Sequence, residues 1–254
     1  MAMKDSPKWL AYSDLAWIEP ILAPPDEYAE ETALLVNAIK GHSASEVKTL
    51  LHLGCGAGIH DHSFKKHFTV TGVDISPNML EIARNLNPEV VYHQGDMRTI
   101  ELWECFDAVA IPDSIAYMTT EEDLQSAIMT AHKHLKPGGV LLIVTSITEH
   151  FSQNNFIYTG TRGDIEITVF ENNYVPRSAG ATYEATLVYL IRRQGKLEIY
   201  TDRHILGLFK LQTWLDLLKK AEFDLLSRTN IDHAYDRFLA GEGKYPQLML
   251  VCSK

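Results

Sequence analysis

No stretch of this sequence approaches the roughly 20 unbroken apolar residues that a membrane-spanning helix needs. Its start, MAMKDSPKWLAYSDLAW, lacks the basic region and apolar block of a secretory signal. A cytoplasmic protein is the expectation. Basic residues are also short: 23 Lys+Arg stand against 33 Asp+Glu, a formal net charge of −10. Such a surface repels phosphate backbones, and no basic cluster is longer than a pair such as Arg192-Arg193, so neither nucleic acid nor membrane is an expected partner. The three cysteines, Cys55, Cys105 and Cys252, are odd in number and share no metal-ligand spacing. They read as reduced thiols in buried structural positions.

What is present is ordinary globular composition, 46% hydrophobic and 22% charged, in a length that fits one enlarged domain. Between residues 47 and 145, short β-branched runs alternate with amphipathic segments of helical length. VKTLLHL (47–53), FTVTGVD (68–74), VVYHQ (90–94), FDAVAI (106–111) and GVLLIVTSI (139–147) read as strands. Helices are expected over 59–67, from Ser76-Pro77 onward, and over Glu121–Leu135, where Thr119 or Thr120 is the cap and Pro137-Gly138-Gly139 the stop. That alternation implies a doubly wound, Rossmann-like α/β sheet, mostly parallel with an antiparallel last strand. From 150 to 206 the pattern turns antiparallel. ITVFENNYV, TYEATLVYLIRR and LEIYTDRHIL read as strands, with Gln194-Gly195 at a hairpin turn. The expected organisation is a helical lid (1–45), a core (46–149), a β insertion over the active site (150–206) and completion of the core (207–254), with monomer and homodimer both open.

The turn Gly54-Cys55-Gly56-Ala57-Gly58 follows a buried strand and opens a helix. Glycine there lets ligand atoms approach backbone N–H groups that a Cβ would block. Asp74 ends the second strand and Asp96 ends the third, so both acids fall at the carboxyl edge where open α/β sheets bind ligands. A dinucleotide fingerprint, G-x-G-x-x-G, would need glycine at 59, where this chain has Ile59. A nicotinamide-dependent oxidoreductase is thus the weaker reading, and a binding protein without turnover a further alternative.

In order and spacing, LLHLGCGAG, GVDISPNML, HQGDM, FDAVAI and LKPGGVLLI resemble the motifs of class I S-adenosylmethionine (SAM)-dependent methyltransferases. The resemblance implies SAM as cofactor and a small molecule as methyl acceptor. It implies a SAM-contacting loop at Gly54, Cys55, Gly56 and Gly58, with Asp74 on the ribose hydroxyls and Ile75 against the adenine. Asp96 would bond the adenine amino group, Met97 would present its backbone N–H, and Ile111 would lie near the methionine moiety. One position departs: the family usually has an acid two residues before the first glycine, helping to hold the methionine ammonium, and this chain has His52. Asp113 is the candidate substitute. A looser similarity, carried by GAGIH with His60, Tyr12 in AYSDLAW, EYAEET around Tyr28 and DRHILGLFKLQTWLDLLKKAEF, points to the small-molecule branch containing amino-sugar N-methyltransferases. It adds Tyr12 and His60 to the cofactor site.

Methyl transfer from a sulfonium is an in-line displacement, so the enzyme mainly aligns the reactants and excludes water. An amine acceptor must also shed a proton, and His or Tyr is the residue type to receive it. His204 and Tyr183 of the insertion are the catalytic candidates, followed by Tyr12, His60 and Tyr117; nitrogen is favoured over oxygen as acceptor. No metal site is expected, because the rings of His60 and His62 would diverge at the start of a helix. His132 and His134 are placed on the solvent side of their helix, and Trp9, Trp17 and Trp214 in packing roles.

Overall fold

The structure, a computed structural model, describes residues 9–177, 180–231, 236–241 and 245–254. After two single turns of 3-10 helix come α1 (Glu19–Leu22) and α2 (Ala29–His42), then β1 (Thr49–Leu53), α3 (Asp61–Phe64), β2 (Thr69–Asp74) and α4 (Pro77–Leu86). Next follow β3 (Val91–Gln94), β4 (Phe106–Pro112), α5 (Glu121–Lys133) and β5 (Leu135–Thr145). Four long strands, β6 (Asn154–Arg162), β7 (Ile165–Tyr174), β8 (Thr182–Arg193) and β9 (Lys196–Gly207), precede α6 (Leu211–Lys220), β10 (Asp224–Ile231) and β11 (Gln247–Ser253).

Seven strands form the central sheet in the order β10-β11-β5-β4-β1-β2-β3. β1 to β5 are parallel, and β11 enters antiparallel between β10 and β5. This is the doubly wound, Rossmann-like sheet that the alternating pattern implies. Successive strands move outward from β1 through β2 to β3, then return to β4 on the other side of β1. The order reverses there, which opens a crevice at the carboxyl ends of β1 and β4 where open α/β sheets take ligands. One face packs Leu51, Leu53, Val109 and Ile143 against α5 and α6, with Trp214 buried among them. The other packs Leu50, Ala108 and Leu142 against Leu35 and Ile39 of α2 and Phe64 of α3. Ser76 caps α4, its Oγ accepting from Met79 N at 3.1 Å, and Thr120 caps α5 through Asp123 N, also at 3.1 Å. Such caps contribute about 1 kcal/mol each.

The four insertion strands form a separate antiparallel sheet in sequence order. Gln194 (φ 50°) and Gly195 (φ 76°) make a two-residue turn, both left-handed, joining β8 to β9. The inner face alternates strictly and packs Ile167, Val169, Tyr189 and Ile191 against Leu15, Ile18 and Ile21 of the N-terminal segment. Gly160 of β6 is where the two backbones meet, since a Cβ there would collide with the Ile21 carbonyl. Among the described residues, no helix is long and apolar enough to cross a membrane.

Several local expectations need correction. α5 ends at Lys133, well before Pro137, because Leu135 already pairs with Phe106 in the sheet. His134 is buried, not solvent-facing: its Nδ1 lies 2.8 Å from the Thr130 carbonyl and its Nε2 accepts from Leu102 N. Cys105 is exposed, whereas Cys55 and Cys252 are buried. The helix expected over 59–67 shrinks to the single turn α3.

Candidate active site

Sharp left-handed turns at Gly54 (φ 72°), Gly56 (φ 53°) and Gly58 (φ 73°) fold the loop after β1. Gly54 N and Cys55 N both donate to the Val73 carbonyl, tying the loop to β2. The three glycines differ in what surrounds them. A Cβ at 54 would strike Ser114 and come within 2.9 Å of Met97 Cε; at 58 it would lie 2.6 Å from the Tyr92 hydroxyl; at 56 it would meet nothing within 4 Å. Gly56 thus forms the open crest. Gly54→Ala is expected to cost about 2–4 kcal/mol in urea unfolding, through clash and strain together. Gly56→Ala should cost only the left-handed strain, about 1–2 kcal/mol, while weakening calorimetric binding of S-adenosylhomocysteine at least tenfold.

Asp74, at the tip of β2, accepts Gly56 N at Oδ2 and Ser76 N at Oδ1, both at 2.8 Å. One lone pair on each oxygen remains, enough for a vicinal diol. Burial raises its carboxyl above the usual range, with the two backbone bonds pulling the other way. Two further donors from a ribose would offset the cost that burial imposes. The residues at hand therefore fit the nucleoside of SAM: an open crest, a diol acceptor beside it, and half-buried Ile75 next in the chain.

The other cofactor candidates are placed unevenly. Asp96 lies beyond β3, but Arg98 engages both its oxygens, through Nε at 3.0 Å and Nη2 at 2.6 Å, and also reaches Asp123 at 2.8 Å. Met97 packs partly buried under Gly54. Ile111 is wholly enclosed in the core and faces no cleft. The residue that does is Asp113, two positions on, strained at φ 62° and exposed. Strain of this kind concentrates at functional sites. Desolvation by the surrounding protein lifts its carboxyl to about 6. Cys55 is buried under the loop, so only its backbone is available there. His60 sits below, bonded to Thr32 Oγ1 at 2.9 Å, with burial lowering its pKa to about 4.

Position 52, where the family usually has an acid, is resolved by a pair. His52 Nδ1 lies 2.7 Å from Asp61 Oδ1, with the two side chains 2% and 0% exposed. Asp61 Oδ2 accepts from the Tyr92 hydroxyl at 2.9 Å. The nearest acid to the imidazole is therefore Asp61, while Asp113 accepts from Gln247 instead.

Above the loop, three distant parts of the chain converge. Tyr12 of the N-terminal segment is pinned by its own carbonyl, which accepts from Ser76 Oγ at 2.5 Å. Its hydroxyl lies 2.6 Å from that of Tyr117, in the turn after β4, and the Tyr117 hydroxyl lies 2.7 Å from His204 Nδ1 on β9. His204 Nε2 is 3.0 Å from Asp202 Oδ2, which also accepts from Ala11 N. A carboxylate on Nε2 assigns the ring proton to that nitrogen and leaves Nδ1 as an acceptor. Trp9 closes over Tyr117 at 4.8 Å between ring centroids. Burial lowers the His204 pKa and raises the Tyr12 and Tyr117 hydroxyls, so all three are neutral at neutral pH. Tyr183 lies outside this line, packed 4.6 Å from Phe151 and bonded to Tyr245. Asp202 escaped notice in the sequence, although D-x-H on a strand puts both side chains on one face.

The methyltransferase domain family matches residues 50–139. Over 119 residues the chain is 36% identical to dTDP-3-amino-3,4,6-trideoxy-alpha-D-glucopyranose N,N-dimethyltransferase of Streptomyces venezuelae, covering 46% of this chain and 50% of that enzyme. Over 200 residues it is 29% identical to dTDP-4-amino-2,3,4,6-tetradeoxy-D-glucose N,N-dimethyltransferase of Saccharopolyspora spinosa, covering 77% and 78%. The match thus spans half the length of the first relative and over three quarters of the second. The crystal structure of Streptomyces venezuelae DesVI shares the fold, with a TM-score of 0.76 and 23% identity over 93% of this chain and 95% of that one. Residues 50–139 are thus similar to methyltransferase domains, and the whole fold is that of the class I SAM-dependent methyltransferases. Its relatives in sequence are amino-sugar N-methyltransferases, and the nicotinamide reading is set aside.

Proposed function

We propose that this protein methylates a nitrogen atom of a small polar metabolite, with Tyr12, Tyr117 and His204 receiving the proton that the nitrogen gives up. The carrying observation is the hydrogen-bonded line Tyr12–Tyr117–His204–Asp202, which joins the N-terminal segment, the β4 tip and the insertion sheet above the glycine loop. SAM, when bound, supplies a methyl group on a sulfonium, open to in-line attack. The chain's own residues do the rest. Asp74 and the crest at Gly56 orient the nucleoside, and the N-terminal segment with Trp9 covers the cleft and excludes water. A neutral amine that gains a methyl group carries one proton too many, and that proton passes by way of Tyr117 to His204 Nδ1. Asp202 holds the imidazole in the accepting tautomer and stabilises its charged form. Two relatives that are N,N-dimethyltransferases support nitrogen as the acceptor.

The test follows release of S-adenosylhomocysteine from SAM with matched panels of small amines and alcohols. Release with amines and none with alcohols is the expected result. Release confined to alcohols would overturn the choice of nitrogen, and failure to bind SAM would overturn the reading as a whole.

A further inference from the structure

The inner face of the insertion sheet carries polar side chains that proton transfer at His204 does not use. Strand register aligns Asn173, Ala185 and His204 in one row and Glu171, Leu187 and Asp202 in the next. Neighbouring strands lie about 4.8 Å apart, so Glu171 and Asn173 stand about 10 Å from Asp202 and His204. Between them stands the small side chain of Ala185. Apolar clusters close both ends of these rows, Val169 with Tyr189 at one and Tyr183 with Leu206 at the other.

Glu171 accepts from the Tyr158 hydroxyl at 3.0 Å and from Asn173 Nδ2 at 2.8 Å. Across from it, on the core side, Asp113 Oδ1 accepts from Gln247 Nε2 at 3.1 Å. Asp113 raises the affinity of Glu171 for a proton, and both acids act on the hydroxyls of Tyr183 and Tyr245. Among the described residues, neither acid has a Lys, Arg or His partner. A second observation concerns the amides that hold them. Asn173 and Gln247 are each 1% exposed, and the carbonyl oxygens Asn173 Oδ1 and Gln247 Oε1 have no hydrogen-bond partner among the described residues. Buried acceptors of this kind are costly unless a donor meets them. Two carboxylates without a cationic partner, two carbonyls without a donor and the rings of Tyr158, Tyr183 and Tyr245 together suit one ligand type, an organic cation with several N–H donors.

We propose that Asp113 and Glu171 form a subsite for an ammonium group of the acceptor, about 10 Å from the nitrogen that is methylated beside Tyr117. This rests on the reading of the cleft as an amine methyltransferase site and narrows the acceptor to a diamine or diamino-substituted small molecule. A diphosphate-linked substrate would meet two negative charges in this subsite.

The test is calorimetric titration of the S-adenosylhomocysteine-saturated protein with α,ω-diaminoalkanes of increasing length and with the diols of the same lengths. The expected result is a preference for diamine over diol of tenfold or more, greatest where the nitrogens are about 10 Å apart. Glu171→Gln should reduce diamine affinity about tenfold and flatten the length dependence, with S-adenosylhomocysteine affinity unchanged, and Asp113→Asn should reduce diamine affinity by a similar factor. Equal binding of diamines and diols overturns the proposal, as does diamine affinity that survives both substitutions. Absence of S-adenosylhomocysteine binding would instead overturn the cofactor reading, so the two failures are distinguishable.

Discussion

Replacing Asp61 by alanine is expected to destabilise the fold by about 3–5 kcal/mol, the range for breaking a buried pair from one side. Asp61 is completely buried, and its two oxygens serve two buried partners, His52 Nδ1 at 2.7 Å and the Tyr92 hydroxyl at 2.9 Å. Tyr92 accepts in turn from Asn87 Nδ2, which also donates to the carbonyl of Gly58. One carboxylate therefore links β1, β3, the end of α4 and the cofactor loop. Removing it strands a ring N–H and a phenol O–H in the interior, where no water can replace the lost acceptor. Asp61→Asn keeps one carbonyl oxygen and should lose about half as much. The double variant His52→Leu, Asp61→Leu removes the polar pair together and should recover much of the loss, because a well-packed apolar pair often replaces a buried ionic one without penalty. Urea unfolding of the three variants checks this order. A loss below about 1 kcal/mol for Asp61→Ala would mean that the interior relaxes to satisfy His52 and Tyr92 elsewhere.

This pair also shows where the sequence was readable and where it was not. Strands β1, β4, β5 and β11 announce themselves because each is a β-branched or leucine-rich run buried on both faces, and the glycine loop because positive φ at three alternate positions leaves few other residues possible. Ser76-Pro77 and Gln194-Gly195 are local signals whose meaning depends on no distant residue, and both hold in the fold. Asp61 carried no such signal. Its role depends on α3 being one turn long, so that its side chain points back at His52, and periodicity over 59–67 suggested a longer helix. Strand β6 has no clear signal for a similar reason. NNFIYTGTR has few apolar residues because much of its inner face meets polar partners or the backbone of Ile21. The fate of Ile111 follows from depth along a strand. A residue one turn of the pleat short of the tip is core, and the first to face the cavity is Asp113.

The second large effect concerns turnover. His204→Gln is expected to lower kcat by about 100-fold to 1,000-fold, the usual worth of a positioned proton acceptor, while leaving S-adenosylhomocysteine affinity within twofold. Binding should survive because His204 lies on β9, beyond Tyr117, and touches neither the glycine crest nor Asp74. Tyr117→Phe interrupts the same line and should produce a comparable loss. Asp202→Asn should cost less, since it alters the tautomer and orientation of the ring but leaves both nitrogens in place. The pH profile separates chemistry from packing. His204 accepts a proton only when neutral, and burial lowers its pKa, so activity should persist below the ordinary histidine range and fall as pH drops through that lowered value. His204→Gln abolishes this limb. Any fall that remains near pH 6 then belongs to protonation of Asp113, whose carboxyl is held at about 6, and should vanish in Asp113→Asn. A kcat changed by less than threefold in His204→Gln, with the acidic limb intact, would mean that the amine surrenders its proton to water and that the line from Tyr12 to Asp202 serves only to hold the cleft closed.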